Sequence, residues 1–159
     1  MTGYSPRFLT EVSFAIIALI VGLGVAAGVA ARIASRETRL FWPNFGFLWL
    51  PQAAVLGIFL FLVPSPALFG GVASALACYF AVFATWLFSR SRPQSMAWLG
   101  CYLSLPGALI GAGAASACVS RWPSLHPVAI ALLGFGLVIC GIAVNQAVVC
   151  STVMSCRGR

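Results

Sequence analysis

The chain has 159 residues, 62% hydrophobic and only 7% charged, with a mean hydropathy of +1.05, which is more apolar surface than a soluble core of this size can hide. A spanning helix takes roughly 20 apolar residues, so four or five spans use nearly the whole length and leave no room for a soluble domain. The net charge of +7 comes from nine Arg and no Lys against Glu11 and Glu37; because the arginines fall between apolar runs and not in one patch, they read as headgroup anchors in a lipid bilayer, with no nucleic acid as partner.

Residues 12–31 are uncharged and are followed at once by Arg32, Arg36 and Arg39. The run is too long for the apolar part of a cleaved signal peptide, and positive charge behind it holds that end in the cytoplasm, so it is expected to stay as a first span. Within it Gly24 and Gly28 form a GxxxG pair, extended by Ala27 and Ala31. Such a stripe lets helix backbones approach closely, here against another helix of the same chain.

Residues 32–52 then join three arginines to a cluster of aromatics, Phe41, Trp42, Phe45, Phe47 and Trp49. Trp42 and Trp49 belong to an interfacial aromatic belt, and with Arg32, Arg36, Arg39, Arg90 and Arg92 they make a cytoplasmic collar that anchors to lipid headgroups. Proline restricts the residue before it and has no amide hydrogen, so Trp42-Pro43 should stop a helix and place the second span at 45–63, bent at Pro51. A span starting only at Pro51 would be too short to cross, and would leave 41–50 as a re-entrant or in-plane segment.

The turn at Pro64-Ser65-Pro66 forces an antiparallel hairpin into a third span, 67–88, whose small residues Gly71, Ser74, Cys78, Ala81 and Thr85 share one face. A fourth span, 96–119, contains Gly107 and Gly111, and Pro106 should kink it and free a carbonyl that must find a partner on a neighbouring helix. Residues 120–127 form a loop holding the sole histidine, His126, read as a solvated residue. The fifth span, 128–154, carries Gly134 and Gly141 for helix packing and the polar pair Asn145-Gln146.

Five spans with the N-terminus outside put Arg32, Arg36, Arg39, Arg90, Arg92, Arg157 and Arg159 on the cytoplasmic side and leave Arg7 and Arg121 outside. A four-span arrangement would split them almost evenly, so the positive-inside rule selects five. The expected fold is an all-α integral membrane protein: one transmembrane helical domain over residues 1–159, a five-helix bundle with its C-terminus in the cytoplasm of a bacterial inner membrane.

No Asp, Glu, Lys, Arg or His lies within any of the five apolar runs. That argues against proton- or cation-coupled transport, removes the acids, bases and metal ligands on which most enzymes rely, and predicts no cofactor and no metal. Cys78, Cys101, Cys118 and Cys140 sit inside apolar runs as small hydrophobes, and Cys150 and Cys156 are spaced for neither a redox pair nor a zinc knuckle. What remains is a neutral polar layer, Gln52, Ser104, Asn145 and Gln146 at ~10–14 Å from the cytoplasmic ends with Thr85 just below, counted at 1.5 Å per residue. The expected function is non-catalytic intramembrane contact with another membrane protein, as an accessory subunit of a larger complex or an immunity protein against a membrane-inserted toxin. A facilitator for a small neutral solute, gated at the polar layer, and a lipid-modifying enzyme at the arginine collar are the alternatives.

Overall fold

Where a chain is surrounded by lipid, each backbone amide must be satisfied within its own segment, and long apolar runs therefore become long helices. The computed structural model describes residues 6–36, 38–62, 65–89, 97–122 and 124–152, and among them all the regular structure is helical. The helices are α1 (Pro6–Ile33), α2 (Phe41–Leu62), α3 (Pro66–Phe88), α4 (Ala97–Leu103), α5 (Leu105–Arg121) and α6 (Pro127–Thr152), with single 3₁₀ turns at Ala34–Arg36 and Thr38–Leu40. They supply five apolar segments long enough to cross a membrane, α4 and α5 together forming one of them. Phe61, at 91% exposure, and Ile110, Leu132 and Leu50 stand out from the surface, a pattern suited to lipid and costly in water.

Two boundaries differ from the sequence expectation for a shared reason. The second span begins at Phe41, not near Phe45, and runs unbroken through residues 41–50 to Leu62, so this stretch is neither a stop nor a re-entrant segment. Pro43 falls in the first turn, where amide hydrogens have no intrahelical acceptor, so its missing donor costs nothing. The fourth span is broken outright at Ser104, with Pro106 in the first turn of α5. Here too the proline sits where a helix tolerates it best.

Helix α3 is the centre of the bundle: 72% of its apolar window is buried, against 22–33% for the other four spans. Its closest neighbours are α1 and α6; α5 packs on α6, α2 packs on α1, and α2 also reaches α3 and α5. Four spans thus surround α3 in the order α1, α2, α4/α5, α6.

Glycine sets two of these contacts. A methyl group added at Gly71 would collide with the Ala131 carbonyl of α6, and one at Gly134 would lie 2.6 Å from a Leu68 methyl of α3. Gly107 and Gly111 lie directly on the Gly141 and Leu137 carbonyls of α6, and Gly141 meets the Gly107 carbonyl in return. These approaches are open only to residues without a side chain. Gly24 and Gly28 do otherwise: nothing lies within 4 Å of a methyl group at either position, so the stripe expected to pack within the chain is on an open surface of α1. Gly22, a position not singled out from sequence, is the α1 glycine that packs, lying on the Trp49 ring and Ala77.

Candidate functional site

The polar layer forms where two prolines disturb two adjacent helices. Pro51 has no amide hydrogen to offer the carbonyl four residues earlier, that of Phe47, and the Tyr102 hydroxyl of α4 donates to this oxygen at 2.9 Å. The rings of Phe47 and Tyr102 meet edge to face with centroids 5.0 Å apart. At the α4–α5 break the Asn145 amide of α6 donates to the Leu103 carbonyl at 2.5 Å, and the Ser104 backbone amide and hydroxyl both turn back to the Cys101 carbonyl. The layer satisfies backbone freed by the breaks, as an apolar surrounding demands.

Gln52 and Ser104 are buried as expected, at 6% and 0% exposure, and Gln52 donates to the Leu48 carbonyl of its own helix. The cavity that Gln52 shares with Tyr79, Cys101 and Tyr102 holds about 10 Å³, the lower limit for one water molecule. Two polar atoms in the region are buried with no hydrogen-bond partner, the Tyr79 hydroxyl and the Gln146 side-chain carbonyl oxygen. The Tyr79 hydroxyl lies beside Ser104 and Cys101 without satisfactory bonding geometry. Thr85 is not brought into this layer; it is exposed on α3 and bonds to the Ala81 carbonyl at 2.7 Å.

Tyr79 and Tyr102 were missed by reading along the sequence. The signal was present: a tyrosine within a span carries a hydroxyl that needs an acceptor, and Pro51 guarantees one nearby.

At the opposite ends of α1 and α3 from the N-terminus lies the collar. The Arg32 guanidinium sits over the Phe88 ring, 5.1 Å from its centroid, an arrangement that favours a cation. Trp42 is 74% exposed and Arg39 is exposed, as expected for headgroup contacts. Trp49 is half-buried and packs inward against the core on Gly22. The side chain of Arg36, and Arg90 and Arg92, lie outside the described residues. Cys78, Cys101, Cys118 and Cys140 are free thiols, whereas Cys150 is disulfide-bonded, contrary to the expectation from its spacing; Cys156 lies outside the described residues.

A run of cavities follows the exposed strip of α3. Between α1 and α6 this helix shows Cys78, Val82, Thr85 and Ser89 to the outside, positions that fall on one face at helical spacing. Three cavities lie along it and share residues: about 550 Å³ beside Glu11 and His126, about 270 Å³ from Phe14 to Ala81 and about 470 Å³ from Val25 to Ser89. Phe14 and Ser74 line the first two, and Val25 and Ala81 the last two. The result is one groove, floored by the small face of α3 that was read from the sequence: Gly71, Ser74, Cys78, Ala81 and Thr85. From Gly71 to Ser89 it extends ~27 Å at 1.5 Å per residue, close to the ~30 Å of a bilayer core.

No family model, curated protein or solved structure matches the chain. The groove and the polar layer are therefore read from chemistry alone. Among the described residues no group of His, Cys, Asp and Glu is arranged to hold a metal ion.

Proposed function

We propose that this chain is a non-catalytic five-span protein of a bacterial inner membrane, N-terminus outside and C-terminus cytoplasmic, that works by contact with another membrane protein. The observation that carries this reading is the groove along α3. Its length suits one transmembrane helix, its floor is made of small residues, and small residues are what permit close helix approach in lipid. The occupant is a single transmembrane helix of a partner, read as a subunit of a larger membrane complex for which this chain is accessory, or as a membrane-inserted toxin against which it gives immunity. Arg32 at one end favours a helix with an acidic residue at the inner surface.

The solute-facilitator reading draws less support. Gln52, Ser104 and Asn145 are directed at backbone carbonyls, and the cavity beside Gln52 takes about one water molecule at most.

The test is site-specific photocrosslinking in the native host, with benzoylphenylalanine at position 78 or 82 in the groove and at position 144 on the exposed side of α6. The expected result is a discrete adduct with one membrane protein from 78 and 82, none from 144, and loss of the adduct when Ala81→Trp fills the groove. Equal adducts from both faces, or adducts that persist with the groove filled, would refute the assignment.

A further inference from the structure

The groove is not uniform along its length, and its variation in width constrains the helix that fills it. The two end cavities hold about 550 Å³ and about 470 Å³, the middle one about 270 Å³. The narrowing comes from α1. Its branched side chains Ile17 and Val21 wall the middle cavity, whereas the collar-end cavity is bordered by Gly28, which has no side chain to project. At the other end the floor drops to Ala67 and Gly71.

The three spaces are evenly placed. Along α3 the first touches Ala67, Gly71 and Ser74, the second Ser74, Ala77, Cys78 and Ala81, and the third Ala81, Ala84, Thr85, Phe88 and Ser89, so their centres fall near residues 71, 78 and 85. The intervals are about seven residues, or ~10 Å at 1.5 Å per residue. A seven-residue repeat keeps one face of a helix on its neighbour at the small left-handed crossing angle common in membrane bundles. A helix lying along the groove therefore meets the three spaces with side chains about seven residues apart on a single face. Packing at interior density puts large side chains where the walls recede and a small one where they close in.

Charge adds a fourth position. Arg32 lines the collar-end cavity, and its guanidinium lies over the ring of Phe88, three residues past the centre of that cavity. An aromatic ring has no acceptor oxygen, so this contact leaves the N–H donors of the guanidinium for a carboxylate.

We infer that the occupant of the groove is a transmembrane helix carrying a large apolar residue, a small residue and a second large apolar residue at about seven-residue intervals on one face, followed about one turn nearer the collar by Asp or Glu. This deepens the contact reading above and rests on it. The large residues fill the end cavities, the small one lets the backbones approach between Val21 and Cys78, and the acid pairs with Arg32.

The experiment uses the purified full chain with benzoylphenylalanine at position 82, in phosphatidylcholine vesicles, and synthetic transmembrane peptides as probes. The first peptide places Phe, Gly and Phe at the three positions of an alanine–leucine host, with Glu one turn beyond. The second has the same composition and the same Glu but the inverted order Gly, Phe and Gly, the displaced Phe being moved to the opposite face. The third is the first with Lys in place of Glu. Adduct formation with the first peptide should saturate at a peptide-to-lipid ratio about tenfold lower than with the other two. In the chain, Arg32→Gln should erase the preference for Glu over Lys, Arg32→Glu should reverse it, and Ala81→Trp should abolish adducts with every peptide. Unchanged unfolding midpoints would show that each variant folds. Equal saturation by the first two peptides, or a preference between Glu and Lys that survives Arg32→Glu, would overturn the inference. A host adduct from positions 78 and 82 alongside peptides that do not discriminate would remove this pattern and leave the contact reading standing.

Discussion

Asn145 and Gln146 are neighbours in sequence and alike in chemistry, yet replacing each by leucine should give unequal results. Asn145→Leu removes the donor to the Leu103 carbonyl at the α4–α5 break. A buried carbonyl deprived of its donor costs about 1–3 kcal/mol, while cross-helix bonds in membrane proteins average about 0.6 and reach about 1.7 kcal/mol. The expected loss is therefore about 1–2 kcal/mol, roughly a five- to thirtyfold change in the folded-to-unfolded ratio. Gln146→Leu removes an acceptor oxygen that is buried and has no partner; leucine at that position escapes the desolvation penalty, and stability should be unchanged or raised by up to about 1 kcal/mol. The assay is reversible unfolding in mixed micelles by increasing dodecyl sulfate, followed by circular dichroism, with the comparison drawn from midpoints at a common slope. Equal losses at the two positions, or a larger loss at 146, would refute the assignment of the α6 amide to the helix break.

The glycines should divide in the same assay. Gly111→Leu drives a side chain into the Leu137 carbonyl and should cost at least the ~1–3 kcal/mol of an overpacked core, whereas Gly24→Leu meets nothing within 4 Å and should be neutral or gain up to about 1 kcal/mol in helix propensity. Tyr102→Phe should lose about 0.6–1.7 kcal/mol, because the Phe47 carbonyl at Pro51 then has no donor, and Tyr79→Phe should cost nothing, since its hydroxyl has no partner to lose. Alkaline phosphatase fused after residue 65 should be active and after residue 92 inactive, and the reverse pattern would sink the proposed orientation.

Much of the fold was legible because hydropathy and length act locally. The five spans followed from uninterrupted apolar runs, and the small face of α3 followed from helical spacing. Which glycines pack was not legible, because Gly24-xxx-Gly28 and Gly107-xxx-Gly111 are the same motif and only the position of α6 distinguishes them. The extent of α2 was misread because a proline was weighed as a breaker without regard to its place in the first turn, where its missing amide does no harm. At the polar layer, Gln52, Ser104 and Asn145 all belong to helices disturbed by or facing a proline, and each donates to a backbone carbonyl near a disturbance. Thr85 has a similar depth but points to the open side of α3, and depth alone carries no azimuth.

The polar layer and the glycines do one job by two means, which is to make helix neighbours specific where burial of apolar surface cannot. Lipid chains are as apolar as leucine, so hydrophobicity fixes that the spans insert but not which spans meet. Tyr102 on the Phe47 carbonyl joins α4 to α2 at a fixed register, Asn145 on the Leu103 carbonyl joins α6 to the α4–α5 break, and glycines fit α6 to both α3 and α5. α1 is held differently, by Gly70 of α3 beneath Phe14, by Gly22 against Trp49 and by the buried Ala15, Ala18, Ala26 and Ala30, while Gly24 and Gly28 meet nothing within the described residues. The most specific contacts thus lie on the α2, α5 and α6 side of α3, and the side between α1 and α6 keeps a bare small-residue floor. On the contact proposal, the open side is where a partner helix completes the bundle, and Cys78, Val82 and Ala81 are the positions at which that proposal stands or falls.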